Sequence, residues 1–396
     1  MKKVKFILNT LMKNNYEAFI VGGAVRDILL KKTPHDIDIT TNATPTQIMQ
    51  LFPNVVPTGI KFGTVTVMLD GEGFEITTFR ADGKYLDGRR PEVVTFGKTI
   101  NEDLFRRDFT INAMAMDIDG RIIDPFGGRE DLNSGIIKAV GSPEKRFSED
   151  ALRILRAFRF SAKYGFKVAP ATLSAIKNKK EGLKLISAER IREELTKIFL
   201  THNVAGTFCL MQKIGILDII LSEITEINID ILRAIEYARK VSELRWALLL
   251  SHNNKEAEKI LIRLKFSNKE KAKIMELILF NNKDIVPVPK EIRKIKSQLN
   301  FSTVEELLDI RKAIAMVHPI SYVELRNIEN AKKISIEEPK LSIKNLAVNG
   351  YDIMTLKLRG KEIGTMLKYL LELVIENPEY NNKKDLLEFA KRASFF

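Results

Sequence analysis

The chain has 396 residues, and its 64 lysines and arginines outnumber 51 acidic residues, giving a formal net charge of +13. This length exceeds one ordinary hydrophobic core, so we expect two to four domains, and the basic surplus favours an acidic partner such as a nucleic acid. A single cysteine, Cys209, excludes a disulfide framework and a thiolate zinc site, and no apolar run in the sequence has the length of a membrane span.

The amino-terminal stretch "MKKVKFILNTLMKNNYEAF" spaces its apolar residues as an amphipathic helix does. It lacks the small-residue cleavage site of a signal peptide, and with the lone cysteine this favours a protein of the reducing cytoplasm. A strand is then predicted over "YEAFIVG", a helix from Ala24 to Lys31 and a second strand over "DIDIT".

Turn and cap signals continue this alternation of strand and helix to about residue 140. The segment "TPTQIMQLF" predicts a helix with Thr44 as N-cap and Gln47 completing a capping box. Two hairpins are predicted, one around Asp70-Gly71 and one around Asp119-Gly120. These elements indicate an α/β head on a small mixed or antiparallel sheet.

From about residue 143 onward strand signals nearly vanish and helical periodicity dominates. Helices are predicted over 149–164, 171–178, 187–200, 229–252, 254–281, 288–299, 302–316 and 361–377. We therefore predict an α+β chain with a small mixed sheet in its head, followed by an elongated all-α part. The predicted divisions are the head (1–142), a helical neck (143–200), a body (201–287) and a tail (288–396).

Asp36 and Asp38 are separated by one residue and follow a pair of glycines, Gly22 and Gly23. In a strand, residues i and i+2 point the same way, and two neighbouring carboxylates repel unless a cation lies between them. Mg²⁺ prefers such oxygen ligands and also binds substrate phosphates, which glycines at a helix start can approach closely. The pattern predicts metal-dependent nucleotidyl transfer; the alternative is an acidic strand end after a glycine turn.

The string "LFRRDFTINAMAMD" supplies Arg107, Asp108 and Asn112. Guanidinium groups suit triphosphate oxygens, and an adjacent aspartate can orient an arginine or accept from a sugar hydroxyl. The string predicts a nucleotide contact, whereas a solvated charged helix end is the alternative.

The segment "SEDALRILRAFRFSAKYGF" predicts a helix capped by Ser148, with Glu149 and Asp150 in its first turn. Asp150 and Arg153 are three residues apart and so share one helical face. A carboxylate accepts from an exocyclic amine and a guanidinium donates to a ring nitrogen or carbonyl, a pattern that suits cytosine and adenine but not guanine or uracil. An N-capped helix with one ion pair is the alternative.

Together these strings resemble the class II branch of the polymerase β-type nucleotidyltransferases, the tRNA CCA-adding enzymes and bacterial poly(A) polymerases. The resemblance implies that Asp36 and Asp38 are catalytic and hold two Mg²⁺ ions, with Gly22 and Glu149 in support. It implies nucleotide contacts from Gly23, Arg26, Arg107, Asp108, Asn112, Asp150, Arg153, Arg156 and Arg159. The implied partners are tRNA, CTP and ATP, without a membrane, in a monomer or homodimer.

Further segments carry the same resemblance less specifically. Asp87, Arg89 and Arg90 lie in a segment similar to the flexible loop of full CCA-adding enzymes; a basic loop that binds RNA nonspecifically is the alternative. Arg190 and Arg192 fall in a neck signature that braces the base-reading motif. Glu75 is a candidate third metal-side carboxylate or an ordinary edge residue. Lys361, between Gly360 and Gly364, is a candidate contact for an RNA phosphate, against a close helix crossing.

The resemblance predicts stepwise addition of C, C and A to tRNA 3′ ends from CTP and ATP, without a nucleic-acid template. A poly(A) polymerase and a CC-only or A-only tRNA nucleotidyltransferase remain alternatives with the same chemistry. A catalytically dead RNA-binding module is the alternative from another class, and the intact Asp36 and Asp38 argue against it.

Overall fold

A computed structural model of the chain describes residues 1–81, 95–224, 227–252, 254–318 and 322–393. The chain divides into two compact units, Met1–Ser222 and Glu223–Phe396. The first contains a mixed sheet with helices and the second is helical wherever it forms regular structure within the described ranges, so the predicted α+β class is confirmed. The finer division into head, neck, body and tail stays a prediction.

Short strands form the sheets of the first unit. They are β1 (Ala18–Val21), β2 (Asp38–Thr41), β3 (Val55–Gly59), β4 (Thr64–Leu69), β5 (Glu72–Thr78), β6 (Arg80–Ala81), β7 (Thr95–Phe96), β8 (Ala115–Met116), β9 (Ile122–Ile123), β10 (Ile136–Ile137) and β11 (Lys167–Val168). Seven of them make one sheet in the order β3-β4-β5-β2-β1-β8-β9, in which β2 and β5 pair in parallel and the other neighbours are antiparallel. The pairs β6-β7 and β10-β11 are separate ribbons.

Helices surround this sheet and continue beyond it. They are α1 (Lys2–Lys13), α2 (Gly23–Leu29), α3 (Pro45–Leu51), α4 (Ile100–Phe105), α5 (Gly128–Asn133), α6 (Pro143–Glu149), α7 (Leu152–Tyr164), α8 (Pro170–Lys179), α9 (Ala188–Phe199), α10 (Val204–Lys213) and α11 (Leu217–Ile220). A buried cluster of Val21, Leu104, Ala113, Ala115 and Val140 packs β1, α4 and β8 together. This cluster fixes the strand β1 that precedes Gly22 and Arg26, and the elements α4 and β8 on either side of Arg107 and Asn112.

The capping box and the two hairpin turns predicted in the first unit are confirmed. Thr44 and Gln47 form the complete capping box of α3. Asp70 and Gly71 both have positive φ, as the two-residue turn between β4 and β5 requires, and Gly120 has φ +86° between β8 and β9.

The strand predicted over residues 36–40 is shorter than expected. β2 begins at Asp38, which pairs with Val21 at the end of β1. Gly22, the residue after β1, has φ +68° and turns out of the sheet into α2, so Asp36 has no strand partner there. The prediction that both aspartates lie on one strand is therefore wrong, and Asp36 lies in a bend just before it.

The helix predicted from residue 149 is also different. Ser148 belongs to α6, whose N-cap is Ser142, so its predicted role as the cap of a helix from Glu149 is wrong. Asp150 has an extended backbone (φ −152°, ψ 103°) and separates α6 from α7. Its carboxylate accepts from the backbone N–H of Leu152 at 3.0 Å, so Asp150 itself supplies the acceptor at the start of α7.

The second unit consists of helices α12 (Ile229–Tyr237), α13 (Ser242–Leu250), α14 (Asn254–Arg263), α15 (Asn268–Asn281), α16 (Pro289–Gln298), α17 (Val304–Ala315), α18 (Tyr322–Glu337), α19 (Gly350–Met354), α20 (Lys361–Glu376) and α21 (Lys383–Ala393). Its last helices share a core that includes Ile353, Leu370, Val374 and Leu386. None of the helices in the described ranges is long and apolar enough to cross a membrane.

Two long helices predicted in this unit are each divided. Residues 229–252 form α12 and α13, because Arg245 donates to the carbonyls of Ala238 and Arg239 where α12 ends. Residues 254–281 form α14 and α15, because Lys265 adopts φ +55° and Ser267 begins a new capping box with Glu270. Periodicity alone spans such breaks, since the apolar spacing continues on both sides of them.

Candidate active site

An arginine-rich cavity of ≈ 460 Å³ lies in the first unit. The residues that line it are Gly22, Gly23, Arg26, Asp38, Arg106, Arg107, Asp108, Asn112, Asp150, Leu152, Arg153, Arg156, Arg159, Phe160 and Arg190. The structure thus brings together all nine residues predicted to contact a nucleotide, with Gly22 and Asp38 beside them. Of the other predicted residues, Glu149 is buried behind the lining and Lys361 belongs to the second unit.

Gly22 is required by the close approach of Arg107. A Cβ atom at Gly22 would lie 2.9 Å from Arg107 Nη1, and the positive φ of Gly22 strains other residues. Arg107 donates through Nη2 to Asp103 Oδ2 at 2.8 Å, while its buried Nε has no partner in the described part of the chain. A buried donor left in this way suits an acceptor on a bound anion.

Asp103 is a residue that the sequence analysis missed. It is fully buried in α4, and its Oδ1 accepts from Arg106 Nε at 3.0 Å and from the backbone N–H of Arg80 at 3.2 Å. Although burial raises the pKa of Asp103, the Arg107 and Arg106 guanidinium groups lower it further than burial raises it. The signal that could have found it is its spacing, since Asp103 lies three and four residues before the two arginines.

Arg26 is held from three sides. It donates through Nη1 to Asn112 Oδ1 and through Nε to Asp27 Oδ1 at 3.0 Å. Its guanidinium carbon lies 4.8 Å from the centre of the Tyr164 ring and 5.4 Å from that of Phe160. These contacts fix the orientation of the guanidinium plane at the cavity wall.

Asp108 links the second charged motif to α7. Its Oδ2 accepts from Arg156 Nε at 2.7 Å, and its Oδ1 accepts from Asn112 Nδ2 at 3.1 Å and from its neighbour's backbone N–H. Burial raises the pKa of Asp108, but the Arg156 charge and these hydrogen bonds outweigh burial and hold the pKa at about 2. Asp108 is therefore an anion at neutral pH and orients both side chains.

The pair predicted to select the base lies at the junction of α6 and α7. Arg153 donates through Nη1 to Glu149 Oε2 at 3.0 Å and through Nη2 to the carbonyl of Arg106 at 3.0 Å. Asp150 accepts from Arg190 Nη2 at 2.7 Å, the bracing contact that the sequence predicted for Arg190. Because a carboxylate has about four acceptor positions and a guanidinium five N–H donors, both side chains keep capacity for a ligand.

Phe160 lies at the centre of three guanidinium groups and was missed as a site residue. Arg159 lies over its ring at 4.2 Å, and Arg26 and Arg156 lie within 5.5 Å of its centroid. Arg159 is also paired with Glu194 of α9 at 2.6 Å. The aromatic face lets these guanidinium groups converge, and each of them also pairs with a carboxylate: Arg26 with Asp27, Arg156 with Asp108 and Arg159 with Glu194.

The two predicted catalytic carboxylates line a second cavity of ≈ 860 Å³, whose lining also includes Lys2, Lys3 and Glu75. Asp38 is the residue that lines both cavities. Desolvation raises the pKa of Asp38, Arg107 opposes this, and the nearby charge of Asp36 adds to it. The side chain of Asp36 is 91% exposed and lies 3.5 Å from His35 Nδ1.

This donor set fits a hard cation, because two mutually repelling carboxylates offer oxygen ligands at an open cavity wall. Glu75, the candidate third carboxylate, lines the same cavity as Asp36 and Asp38. The parallel strands β2 and β5 pair Ile39 with Ile76, so Glu75 lies beside Asp38 in the neighbouring strand. Within the described ranges, no three His, Cys, Asp or Glu side chains form a group able to hold a metal ion. The predicted loop residues Asp87, Arg89 and Arg90 lie outside the described residues.

Family models, relatives and a solved structure that are similar to this chain all belong to tRNA nucleotidyltransferases and poly(A) polymerases. The family described as "Poly A polymerase head domain" matches residues 18–138, the one described as "Probable RNA and SrmB- binding site of polymerase A" matches 165–228, and the one described as "tRNA nucleotidyltransferase domain 2 putative" matches 239–390. The CCA-adding enzyme of Lactobacillus helveticus is 55% identical over 192 residues, 48% of this chain and 48% of that protein.

Other relatives align over nearly the whole chain. The CCA-adding enzyme of Leuconostoc citreum is 36% identical over 392 residues, covering 97% of this chain and 94% of the relative. The crystal structure of the Bacillus stearothermophilus CCA-adding enzyme in complex with CTP matches with a TM-score of 0.85 and 31% identity, over 100% of this chain and 97% of that chain.

Proposed function

We propose that this chain adds C, C and A stepwise to the 3′ end of tRNA, because it belongs to the CCA-adding enzyme family of metal-dependent nucleotidyltransferases. CTP and ATP would be the substrates and pyrophosphate the second product, with no nucleic-acid template. The observation that carries the proposal is the convergence of nine predicted nucleotide-binding residues in one cavity whose wall includes Asp38.

The residues of the cavity divide the work of binding a nucleoside triphosphate. Arg107 lines the cavity with Asp38, whose pKa it lowers, and its buried Nε has no hydrogen-bond partner in the described residues, so we assign Arg107 to the phosphates. Arg26 and Asn112 form one hydrogen-bonded unit with Asp108, and we assign this unit to the ribose and the adjoining phosphate. Such assignments follow from the preference of guanidinium groups for phosphate oxygens and of carboxylates and amides for hydroxyl groups.

Base selection is assigned to Asp150 and Arg153. Asp150 would accept from the exocyclic amine of cytosine or adenine, and Arg153 would donate to the ring nitrogen or the carbonyl beside it. Uracil and guanine present a ring N–H and a carbonyl on that edge, so they would leave buried polar groups unpaired. Glu149 and Arg190, which hold the two side chains, keep this pattern of donors and acceptors in place.

The cavity on the other side of Asp38 is proposed to receive the RNA 3′ end. The reacting hydroxyl must meet the α-phosphate at Asp36 and Asp38, and the arginine-rich cavity is already assigned to the nucleotide. We propose that the two aspartates hold two Mg²⁺ ions, which would activate the hydroxyl and stabilise the leaving pyrophosphate. Lys361, exposed at the start of α20, is proposed to contact an RNA phosphate.

The experiment that tests the function uses the purified chain, tRNA lacking its terminal CCA, and labelled CTP or ATP. With both nucleotides we expect three added residues ending in A; with CTP alone, two. An A-only enzyme would label tRNA ending in CC with ATP and fail on the shorter acceptor, and a CC-only enzyme would never label with ATP. Long runs of A on any RNA would instead identify a poly(A) polymerase, and no labelling at all would exclude the proposal.

The segment from Asp87 to Arg90 bears on the CC-only alternative. If these residues drive the change from C to A addition, replacing them by a Gly/Ser segment leaves C addition near normal and yields product ending in CC. Equal loss of all three additions would instead indicate a general RNA contact.

The compartment that we propose is the cytoplasm, and a monomeric or homodimeric state stays a prediction.

A further inference from the structure

Hydrogen bonds connect two walls of the cavity to one side chain outside its lining, Asp103. Arg107 faces Asp38 on the wall assigned to the phosphates, and Arg153 lies on the wall assigned to the base. Arg107 is bound to Asp103 Oδ2 at 2.8 Å. Arg153 is bound to the carbonyl of Arg106, whose own side chain is bound to Asp103 Oδ1 at 3.0 Å and 2.5 Å.

Asp103 has properties that suit such a connection. It has no exposed surface, and its two oxygens serve different partners: Oδ1 serves Arg106 and the backbone of Arg80, and Oδ2 serves Arg107. A fully buried, charge-assisted set of hydrogen bonds fixes geometry because alternative positions would leave charges unpaired. The short helix α4 that carries Asp103 packs into the buried cluster with Val21 and Ala115, so the carboxylate has a rigid base.

We propose that Asp103 is a positioning residue that sets the phosphate-binding and base-reading arginines in one fixed register. This inference rests on the proposed function and adds to it a residue that does not touch the nucleotide. Without Asp103, Arg107 would lose its carboxylate acceptor, and Arg106, whose carbonyl binds Arg153, would lose the ion pair of its side chain. The same change would therefore disturb both catalysis and the choice of base.

Asp103→Asn tests this proposal because asparagine keeps the shape but has a single acceptor oxygen. It can satisfy Arg106 or Arg107, but not both. We expect kcat/KM for CTP and for ATP to fall about 100-fold, the scale of a misplacement near 1 Å, with most of the loss in kcat because the other arginines still bind the triphosphate. We also expect the ratio of kcat/KM for CTP to that for UTP to fall at least tenfold.

A purely structural role gives a different result. A smaller folded fraction lowers kcat but leaves KM and the CTP-to-UTP ratio unchanged, and a ratio within twofold of wild type would overturn the proposal. Asp131→Asn is the matched control, since Asp131 is also a buried carboxylate of the first unit but accepts from the hydroxyl of Thr110 at 2.7 Å. An equal loss of selectivity in that control would likewise overturn it.

Combination with Arg107→Ala gives a second readout. If Asp103 acts through the arginines, the loss in the double variant is smaller than the product of the two single losses, whereas independent effects multiply. Should Asp103→Asn fail to fold, Arg106→Lys breaks the two-donor contact to Oδ1 while keeping the charge. We expect Arg106→Lys to lower the CTP-to-UTP ratio, and an unchanged ratio would overturn the proposal.

Calorimetric binding of CTP and UTP separates this inference from the proposed function. A wild-type protein that adds nothing to tRNA lacking CCA contradicts the function alone. The preference for binding CTP over UTP, compared between wild type and Asp103→Asn, still reports on Asp103 without any RNA. Loss of that preference in the variant supports positioning by Asp103, and retention of it contradicts the inference.

Discussion

Arginines removed from solvent serve different purposes in the two units of this chain. In the first unit, partly buried arginines at the cavity pair with carboxylates and turn remaining donors to it, as Arg153 does with Glu149 and Arg156 with Asp108. In the second unit, buried arginines bind the carbonyls at helix ends: Arg245 caps α12, and Arg293, which also pairs with Glu338, donates to the carbonyls of Ile375 and Glu376 at the end of α20. Burial of an arginine is therefore no sign of a ligand site by itself; its partners and the space beside it are.

The largest effect is expected at the carboxylates of the first unit, beside the arginines that turn donors to the cavity. Asp38→Ala or Asp36→Ala should abolish both C and A addition, with a loss of at least about 1,000-fold, because no neutral side chain replaces a metal ligand. Binding of tRNA should remain, since phosphate contacts carry that affinity. Primer extension with a filter-binding control measures both, and near-normal turnover in either variant would contradict the catalytic assignment.

Arginine substitutions in the two units should produce opposite phenotypes. Arg153→Ala should lower kcat/KM for CTP and ATP together by roughly 10- to 100-fold, the value of hydrogen bonds to a charged group. It should lower the free energy of unfolding less than Arg293→Ala, because Glu149 keeps its ion pair with Arg146. Arg293→Ala should lower the free energy of unfolding by about 3 kcal/mol, because buried carbonyls and Glu338 lose their donor. Its activity per folded molecule should be unchanged; denaturant unfolding and kinetics on both variants check the contrast, which a reversed result would break.

The charge on Asp108 should appear in the pH dependence of stability. Folding lowers its pKa to about 2 from an ordinary value of 3.8, so ionised Asp108 stabilises the folded state above about pH 4, and this contribution is lost as the pH falls toward 2. The difference in unfolding free energy between wild type and Asp108→Asn should therefore shrink by about 1 kcal/mol between pH 6 and pH 3. Urea titrations at several pH values measure it, and a difference independent of pH would show that the charge is not stabilised.

The smallest effect is expected at an exposed residue of the second unit. Lys361→Ala should weaken tRNA binding a few-fold at low salt and reduce the slope of log affinity against log salt by roughly 0.7 to 0.9, as expected for one lost phosphate contact. Affinity for CTP should stay the same because the nucleotide cavity belongs to the first unit. An unchanged salt slope would remove Lys361 from the RNA-binding surface.

Local signals in the sequence predicted local structure well. The capping box of Thr44 and Gln47 and the turn at Asp70-Gly71 each depend on a few adjacent residues, and both are confirmed. The division at Asp150 was missed because the apolar spacing continues through it, while its side chain accepts from the start of α7 and from Arg190 of α9. Periodicity reports which face is buried, and it does not report where a chain must bend to reach a distant partner.

The site shows the same limit. The residues predicted to contact a nucleotide fall in motifs whose chemistry is visible in sequence, and the structure brings them to one cavity. Glu194 and Phe160 were missed because their importance arises from neighbours: Glu194 meets Arg159 from 35 residues away, and Phe160 is distinguished only by the three guanidinium groups around its ring. Supporting residues of this kind have no signature until the fold is known.

The position of Asp38 in the walls of two cavities has a kinetic consequence. If the arginine-rich cavity takes the nucleotide and the other cavity takes the RNA end, as proposed, the two meet at one carboxylate, because the linings have no further residue in common. Pyrophosphate could then depart and a new nucleotide enter while the RNA stays bound. Such an arrangement favours several additions during one encounter with the RNA, so that acceptors extended by a single residue would be scarce at early times when the protein is limiting.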